Sequence, residues 1–284
     1  MAGVAVVTDS TCDLPHSLVE EIGLRVVPLS VAFGDEVLVA GVTLQTEEFY
    51  RRLTESSVMP TTSQPAPVWF DEAFADCVDE GYEAVVALHC SAALSGTVAV
   101  ARERARHTPL MVEVVDSRLI GGSLGLAALA AHRAAVSGGS VEDVVAAAEG
   151  VRAGVTSLVV VDTLEYLRRG GRLSGHQAVL GTALRVKPVL HLTEDGRVEV
   201  IQRARTWRKA RERLVELAVS SADGGEADVI VVHSLAPGRA AEVRDELRTR
   251  LHVRELLEGE IGPVVGSHTG PGAVGVAVAR VDRA

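Results

Sequence analysis

Ala84-Val-Val-Ala-Leu88, then the polar turn His89-Cys-Ser-Ala-Ala-Leu-Ser95, then Gly96-Thr-Val-Ala-Val-Ala-Arg-Glu-Arg-Ala-Arg106 is the passage that decides the fold. An apolar run without polar alternation reads as a strand covered on both faces. The turn after it opens a helix over Gly96 to Arg106, and Met111 to Val115 returns as a second apolar strand. Strand, turn, helix and strand in that order form the unit from which parallel sheets are assembled.

The same alternation extends to both sides. Val4 to Val7 reads as a strand, Asp9 to Asp13 as a polar turn, Ser17 to Ile22 as a helix and Arg25 to Ala32 as a further strand. Thr46 is placed to cap a helix whose first turn holds Glu47 and Glu48, where the dipole favours anions. Pro65 and Pro67 open a helix through Glu80, and a helix of small residues is expected over Gly122 to Val136. Gly138-Gly139 breaks the chain, and Ser140 begins a linking helix to about Arg152. Beyond it the order changes. Val189 to Leu192 and Val198 to Ile201 flank Glu194-Asp-Gly-Arg197, and Asp-Gly is a hairpin signal. Helices over Trp207 to Ser221 and Gly238 to Leu251, with strands at Val229 to His233 and Val274 to Val281, complete the chain. The expected fold class is α/β. A parallel-sheet α/β/α domain spans residues 1–152, and a smaller α+β domain spans 153–284, with the boundary near Gly150 to Thr156.

Composition narrows the function. The 284 residues are 47% hydrophobic and 23% charged, enough for a sizeable core. A net charge of −10, only 3% aromatics and no basic block argue against nucleic acid and against anionic membranes. Cys12, Cys77 and Cys90 are odd in number and far apart, as expected of reduced thiols in a cytoplasmic protein. Met1 to Val7 lacks a basic n-region and so does not read as a signal peptide. No apolar run reaches the ~18 residues of a membrane span, so no stable membrane insertion is expected. The nine histidines are scattered, with no metal-ligand spacing. No phosphate-binding Gly-x-x-x-x-Gly-Lys loop exists, so neither a metal nor a nucleotide cofactor is expected.

Three hydroxyl-rich turns carry the chemistry. Gly266-Ser-His-Thr-Gly-Pro-Gly-Ala-Val-Gly-Val276 sets His268 on a glycine-rich loop, where an imidazole can donate to an anion or move a proton. Leu94-Ser-Gly-Thr97 places Ser95 and Gly96 at a helix start, where unpaired N–H groups favour an anion, although Ser95 also has the ordinary role of a cap. Thr61-Thr-Ser-Gln-Pro65 offers Thr61 and Thr62, which equally suit a plain turn. Asp9 and Ser10 follow the first strand, where ligands of parallel sheets gather. Two arginine clusters, Arg169-Gly-Gly-Arg172 and Arg203-Ala-Arg205, suit phosphate contact or a solvated face. A hydrolase built from Ser95 and His268 with Asp9 or Asp116 is the alternative. Ala93-Leu-Ser-Gly-Thr97 does not match the Gly-x-Ser-x-Gly elbow.

Together with Thr8-Asp-Ser-Thr-Cys-Asp-Leu14, these motifs resemble the DegV family from about Val4 to Val278. The resemblance implies a protein that binds a long-chain fatty acid, and for some members the acyl-carrying subunit of a bacterial fatty acid kinase. It implies a carboxylate held by Thr62, Ser95 with Gly96, and His268. Thr61, Asp9 and Ser10 are weaker candidates, and so is Ser91, because Ser91-Ala92-Ala93 departs from the family's Ser-Ser-Gly lead-in. It further implies an acyl tunnel inside the first domain with Ile120, Gly121, Leu124 and Ala128 on its wall. Arg172 and Arg205 would face the kinase partner or the phosphate. The bound acid would be the only ligand, and the chain itself would not be an enzyme. Burial of the acyl tail would contribute ~0.8 kcal/mol per CH₂.

Overall fold

The computed structural model describes residues 3–174 and 186–281. The outer ends of both expected domains (residues 1–2 and 282–284) lie outside the described residues.

The apolar run from Ala84 forms strand β6 (Ala84–His89), a central strand of a four-stranded sheet. It pairs in parallel with β1 (Val4–Asp9) and β7 (Met111–Asp116), and β1 pairs in parallel with β2 (Arg25–Val27). A short helix, α1 (His16–Ile22), connects β1 to β2. Both faces of this sheet are covered, as the unbroken apolar runs require. On one face Ala5, Val7, Val85 and Ala87 pack with Phe70, Phe74 and Cys77 of helix α3 (Pro67–Asp79), and with Ala101 of α4 (Thr97–Arg104). On the other, Val6, Val86 and Leu88 pack with α5 (Gly122–Val136) and α6 (Val141–Gly154). A capping box between Ser140 and Asp143 starts α6, and α6 runs directly into strand β8 (Val155–Val160). The short helix α7 (Glu165–Arg169) follows β8.

The second sheet has six strands in the order β10-β9-β8-β13-β11-β12, where β9 is Lys187–Leu192, β10 Val198–Ala204, β11 Glu226–His233, β12 His252–Glu260 and β13 Val274–Arg280. All neighbours are antiparallel except β11 and β12. Helices α8 (Trp207–Ser221) and α9 (Pro237–Arg250) cover its outer face through Leu214, Val243 and Leu247. Its inner face, with Ile230, Val232 and Ala277, turns toward the first sheet's helices, where Leu126 of α5 joins the same core.

Strands β8 and β12 and helix α7 have no counterpart among the expected elements, and three further features depart from expectation. The strand expected over Arg25 to Ala32 divides at Pro28, which cannot donate to a ladder. Its second part becomes β3 (Ser30–Phe33), which pairs with β4 (Glu36–Val39) and β5 (Thr61–Ser63) in a small separate sheet. The helix that opens near Thr46, α2 (Thr46–Glu55), has Gln45 rather than Thr46 at its cap position. The glycine-rich loop around His268 is a short helix, α10 (Pro263–Thr269), with Pro263 at its start. Pro at the first turn costs no hydrogen bond. Helix α10 rests on Phe49 and Tyr50 of α2, where a Cβ on Gly266 would lie 2.8 Å from the Phe49 ring.

Candidate functional site

A cavity of about 410 Å³ lies between the two sheets, within the roughly 300–1,000 Å³ of small-molecule sites. Its walls come from both halves of the chain. Leu29 and Ile120 contribute from the first half, and Val159, Val232, Val264 and Ala277 from the second. The cavity thus draws its walls from both halves, whereas the acyl tunnel is expected inside residues 1–152 alone. Small residues on β13, Gly275 and Ala277, leave the space open where the inner face of the six-stranded sheet meets α5.

Polar groups collect along one part of this wall. Thr62, Ser95, Gly96 and His268 all line it, together with Arg172. The Thr62 hydroxyl and His268 Nε2 are 2.8 Å apart, a contact across 206 residues of sequence. Thr62 is brought there by β5, which pairs with β3 so that Thr62 stands opposite Val31. Ser95 hydrogen-bonds Thr97 (2.8 Å between hydroxyls) at the start of α4, and Gly96 is the cap residue. The Gln64 side chain lies against the Gly96 α-carbon, a close approach that a Cβ would obstruct. The buried Cys90 thiol is within hydrogen-bonding reach of Thr11, Thr97 and Ser95, and burial holds its pKa well above the ordinary value.

His268 is neutral in this structure. Burial, and secondarily the charge of Arg172, push its pKa down to about 4. Its Nδ1 is buried without a hydrogen-bond partner among the described residues. The ring packs on Gly170, where any Cβ would overlap it. Arg172 is held by the Leu94 carbonyl (3.1 Å from Nε) and the Gly170 carbonyl (2.6 Å from Nη1). Among the described residues Arg172 has no carboxylate partner, so no ion pair engages the guanidinium on the cavity wall.

A second ionisable group on the wall is Asp13. Its Oδ1 accepts from the Gly262 N–H at 2.9 Å, while Oδ2 has no partner among the described residues. Burial, opposed by that hydrogen bond and assisted by the nearby charge of Asp9, raises its pKa to about 8. It is therefore protonated at neutral pH. Asp13, Gln64 and Gly170 lie within the Thr8–Leu14, Thr-Ser-Gln-Pro and Arg-Gly-Gly-Arg motifs, but nothing in those motifs singles out these roles.

Other expected site residues lie elsewhere. Thr61 is exposed and off the cavity wall, because it alternates with Thr62 along β5. Asp9 is fully buried beneath the loops. Its carboxylate accepts from Thr11 N (3.0 Å), Thr11 Oγ1 (2.6 Å) and Cys90 N (2.9 Å), and lies 3.2 Å from His89 Nδ1. Burial would raise its pKa, but these contacts, His89 foremost, hold it below the ordinary value. Ser10 accepts from Leu29 N at 3.0 Å, which ties β3 to the first loop. Ser91 donates to the Gly196 carbonyl at 2.8 Å and fastens the loop after β6 to the β9–β10 hairpin. Of the expected tunnel wall, Ile120 and Gly121 line the cavity. Leu124 and Ala128 do not, because helical spacing turns them into the core against Val6 and Leu88. Arg205 is exposed just beyond β10 and away from the cavity wall, whereas Arg172 is part of it.

The contacts do not form a Ser–His–carboxylate relay. Ser95 is engaged with Thr97, His268 with Thr62, and Asp9 with the first loop, while Asp116 accepts from the N–H groups of Ala92 and Arg118. A triad needs the carboxylate on the imidazole's second nitrogen, and here that nitrogen faces Gly170. Among the described residues, no group of three or more His, Cys, Asp or Glu side chains could hold a metal ion, and no helix is long and apolar enough to cross a membrane.

Comparison with known proteins agrees with this architecture. The family model described as "Uncharacterised protein, DegV family" matches residues 3–281. A DegV domain-containing protein of Streptomyces coelicolor is 44% identical over 276 residues, 97% of this chain and 98% of that protein. A fatty acid–binding DegV family protein from Thermus thermophilus superposes with a TM-score of 0.91 at 38% identity, covering 98% of this chain and 100% of that one. A stearic acid–binding protein from Eubacterium ventriosum superposes with a TM-score of 0.86 at 26% identity, covering 99% and 98%. With its parallel sheet, its mixed sheet and the cavity between them, the chain belongs to the DegV family.

Proposed function

We propose that this chain binds one long-chain fatty acid, with its tail in the cavity between the sheets and its carboxylate at Thr62, Ser95, Gly96 and His268. The observation that carries the reading is the cavity itself: apolar over most of its wall, with hydroxyls, an imidazole and a guanidinium that, among the described residues, is held by carbonyls alone, gathered along one part. The Thermus thermophilus and Eubacterium ventriosum relatives support it by what they bind.

An arriving carboxylate exchanges the Thr62–His268 bond for bonds to both groups. Burying a carboxylate costs several kcal/mol unless it is paired, and Arg172 supplies the opposite charge that a neutral His268 does not. The carboxylate also favours the protonated imidazole, so binding draws His268 up from its depressed pKa. On this reading the chain is a carrier without catalysis of its own. It presents the acid to a separate ATP-dependent kinase for acyl-phosphate formation that feeds phospholipid synthesis, and Arg205 contacts that partner.

Delipidated protein titrated with C14 to C18 acids tests the first statement, and a stoichiometry of one is expected. Absence of binding across that series overturns it. For the second, Arg205→Ala is expected to keep acid affinity while lowering kinase-coupled acyl-phosphate formation. Unchanged phosphorylation removes Arg205 from the partner surface.

A further inference from the structure

A second cleft, of about 720 Å³, opens where β8 and β9 meet the end of α6 and the loop after β7. Its walls carry Arg118, Arg152, Arg280 and His191, and the only carboxylate among them is Glu194. Three guanidiniums against one carboxylate leave a formal excess of two positive charges, on a chain whose net charge is −10. Elsewhere the arginines are mostly engaged in close ion pairs, such as Arg211 with Glu242 at 2.6 Å and Arg133 with Glu255 at 2.7 Å. In the cleft they are not. Arg118 and Arg280 make no ion pair among the described residues. Arg152 reaches Glu149 only at 3.5 Å, and His191 is 3.8 Å from Glu199.

The backbone agrees. Arg118 sits at φ 56°, a region that a long side chain does not favour, held there by Asp116 Oδ1, which accepts its N–H at 3.1 Å. That carboxylate also accepts from Ala92 N, so it is engaged with the backbone rather than with the guanidinium. Thr156 adds a hydroxyl to the wall, and Ser157 lines both this cleft and the cavity between the sheets. Planar guanidiniums with nearby hydroxyl donors match the oxygens of a phosphoryl group, which accept paired bonds.

We propose that this cleft binds a small phosphorylated anion through Arg118, Arg152 and Arg280, none of which lines the fatty-acid cavity. The cleft is recessed, which favours a soluble phosphate ester or polyphosphate over the headgroup of a lipid surface. Calorimetric titration with pyrophosphate at low salt tests it, with phosphatidylglycerol vesicles as the second arm. One saturable pyrophosphate site is expected. Its affinity should fall at least about tenfold in the double variant Arg118→Ala/Arg280→Ala, since a bidentate guanidinium–phosphate pair is worth that order. Arg208→Ala, on an exposed face of α8, should leave it unchanged. Fatty-acid binding is measured on the same samples and should be retained in the double variant, which separates this site from the cavity. No saturable pyrophosphate binding, equal binding by the double variant, or binding to vesicles alone overturns the proposal.

Discussion

The polar part of the cavity wall and its apolar remainder are built on different plans. The polar part is assembled from side chains on distant segments: Thr62 on an edge strand, Ser95 at a helix start, His268 on α10 and Arg172 beyond α7. Each is positioned by a hydrogen bond or a close packing contact. The remainder is made by what is missing, small residues on β13 facing Ile120 and the inner sheet. On the proposed function, recognition of the headgroup and accommodation of the tail rest on separate residues, and substitutions should be able to alter one without the other.

The largest expected effect falls on the tail. Val159→Trp fills part of the apolar space from β8. Excluding about four methylenes at ~0.8 kcal/mol each weakens a C18 acid by a hundredfold or more, while a C10 acid loses much less. Isothermal titration across chain lengths reads this, and an equal loss for both lengths contradicts the division between head and tail. Next comes His268→Ala. Losing a hydrogen bond to a charged group costs roughly 1–3 kcal/mol, ten- to a hundredfold in affinity, and should do so equally for long and short acids. A length-dependent loss would place His268 on the tail side.

These two residues also show how far the sequence can be read. Strand β8, which carries Val159, is hidden because it follows α6 without an intervening turn, whereas the buried strands β1, β6 and β7 are legible through their apolar, β-branched runs. The hairpin at Glu194 to Arg197 is legible through its Asp-Gly turn. The motif residues Thr62, Ser95 and His268 are legible as types, but the meeting of Thr62 and His268 across 206 residues is not. The helix under His268 is hidden because Gly266, Ser267 and Thr269 are weak helix formers. Ser267 and Thr269 turn their hydroxyls back to Pro263 and Val265, and tertiary packing on Phe49 and Tyr50 holds the turn. Strand β12 is hidden because it is an edge strand rich in charge, with the sequence His252-Val-Arg-Glu-Leu-Leu-Glu-Gly-Glu260. The cavity's place between the halves depends on which face of α5 meets which sheet, and a helix rich in alanine and leucine on every side does not reveal that.

Asp13 adds a pH dependence on the polar side. Its folded pKa of about 8 lies above the ordinary 3.8, so its contribution to stability is complete below the unfolded value and is lost as pH rises through about 8. Asp13→Asn keeps the acceptor for Gly262 and tolerates the positive φ. Its melting temperature should therefore exceed that of the parent by more at pH 8 than at pH 4. A constant difference across that range contradicts a protonated Asp13. The smallest effect is expected at Ser91→Ala, which removes one buried bond between the loop after β6 and the hairpin. Denaturant unfolding should register roughly 1 kcal/mol, with acid affinity unchanged.

The most direct test of a carboxylate site joined to an apolar cavity is competition between a C16 acid and its methyl ester for the delipidated protein. The ester keeps the tail and loses the charge that Arg172 and the hydroxyls meet. The acid is expected to bind one to one and at least about tenfold more tightly than the ester, the worth of one charged hydrogen bond. Equal affinity for acid and ester would contradict a carboxylate site at Thr62, Ser95 and His268.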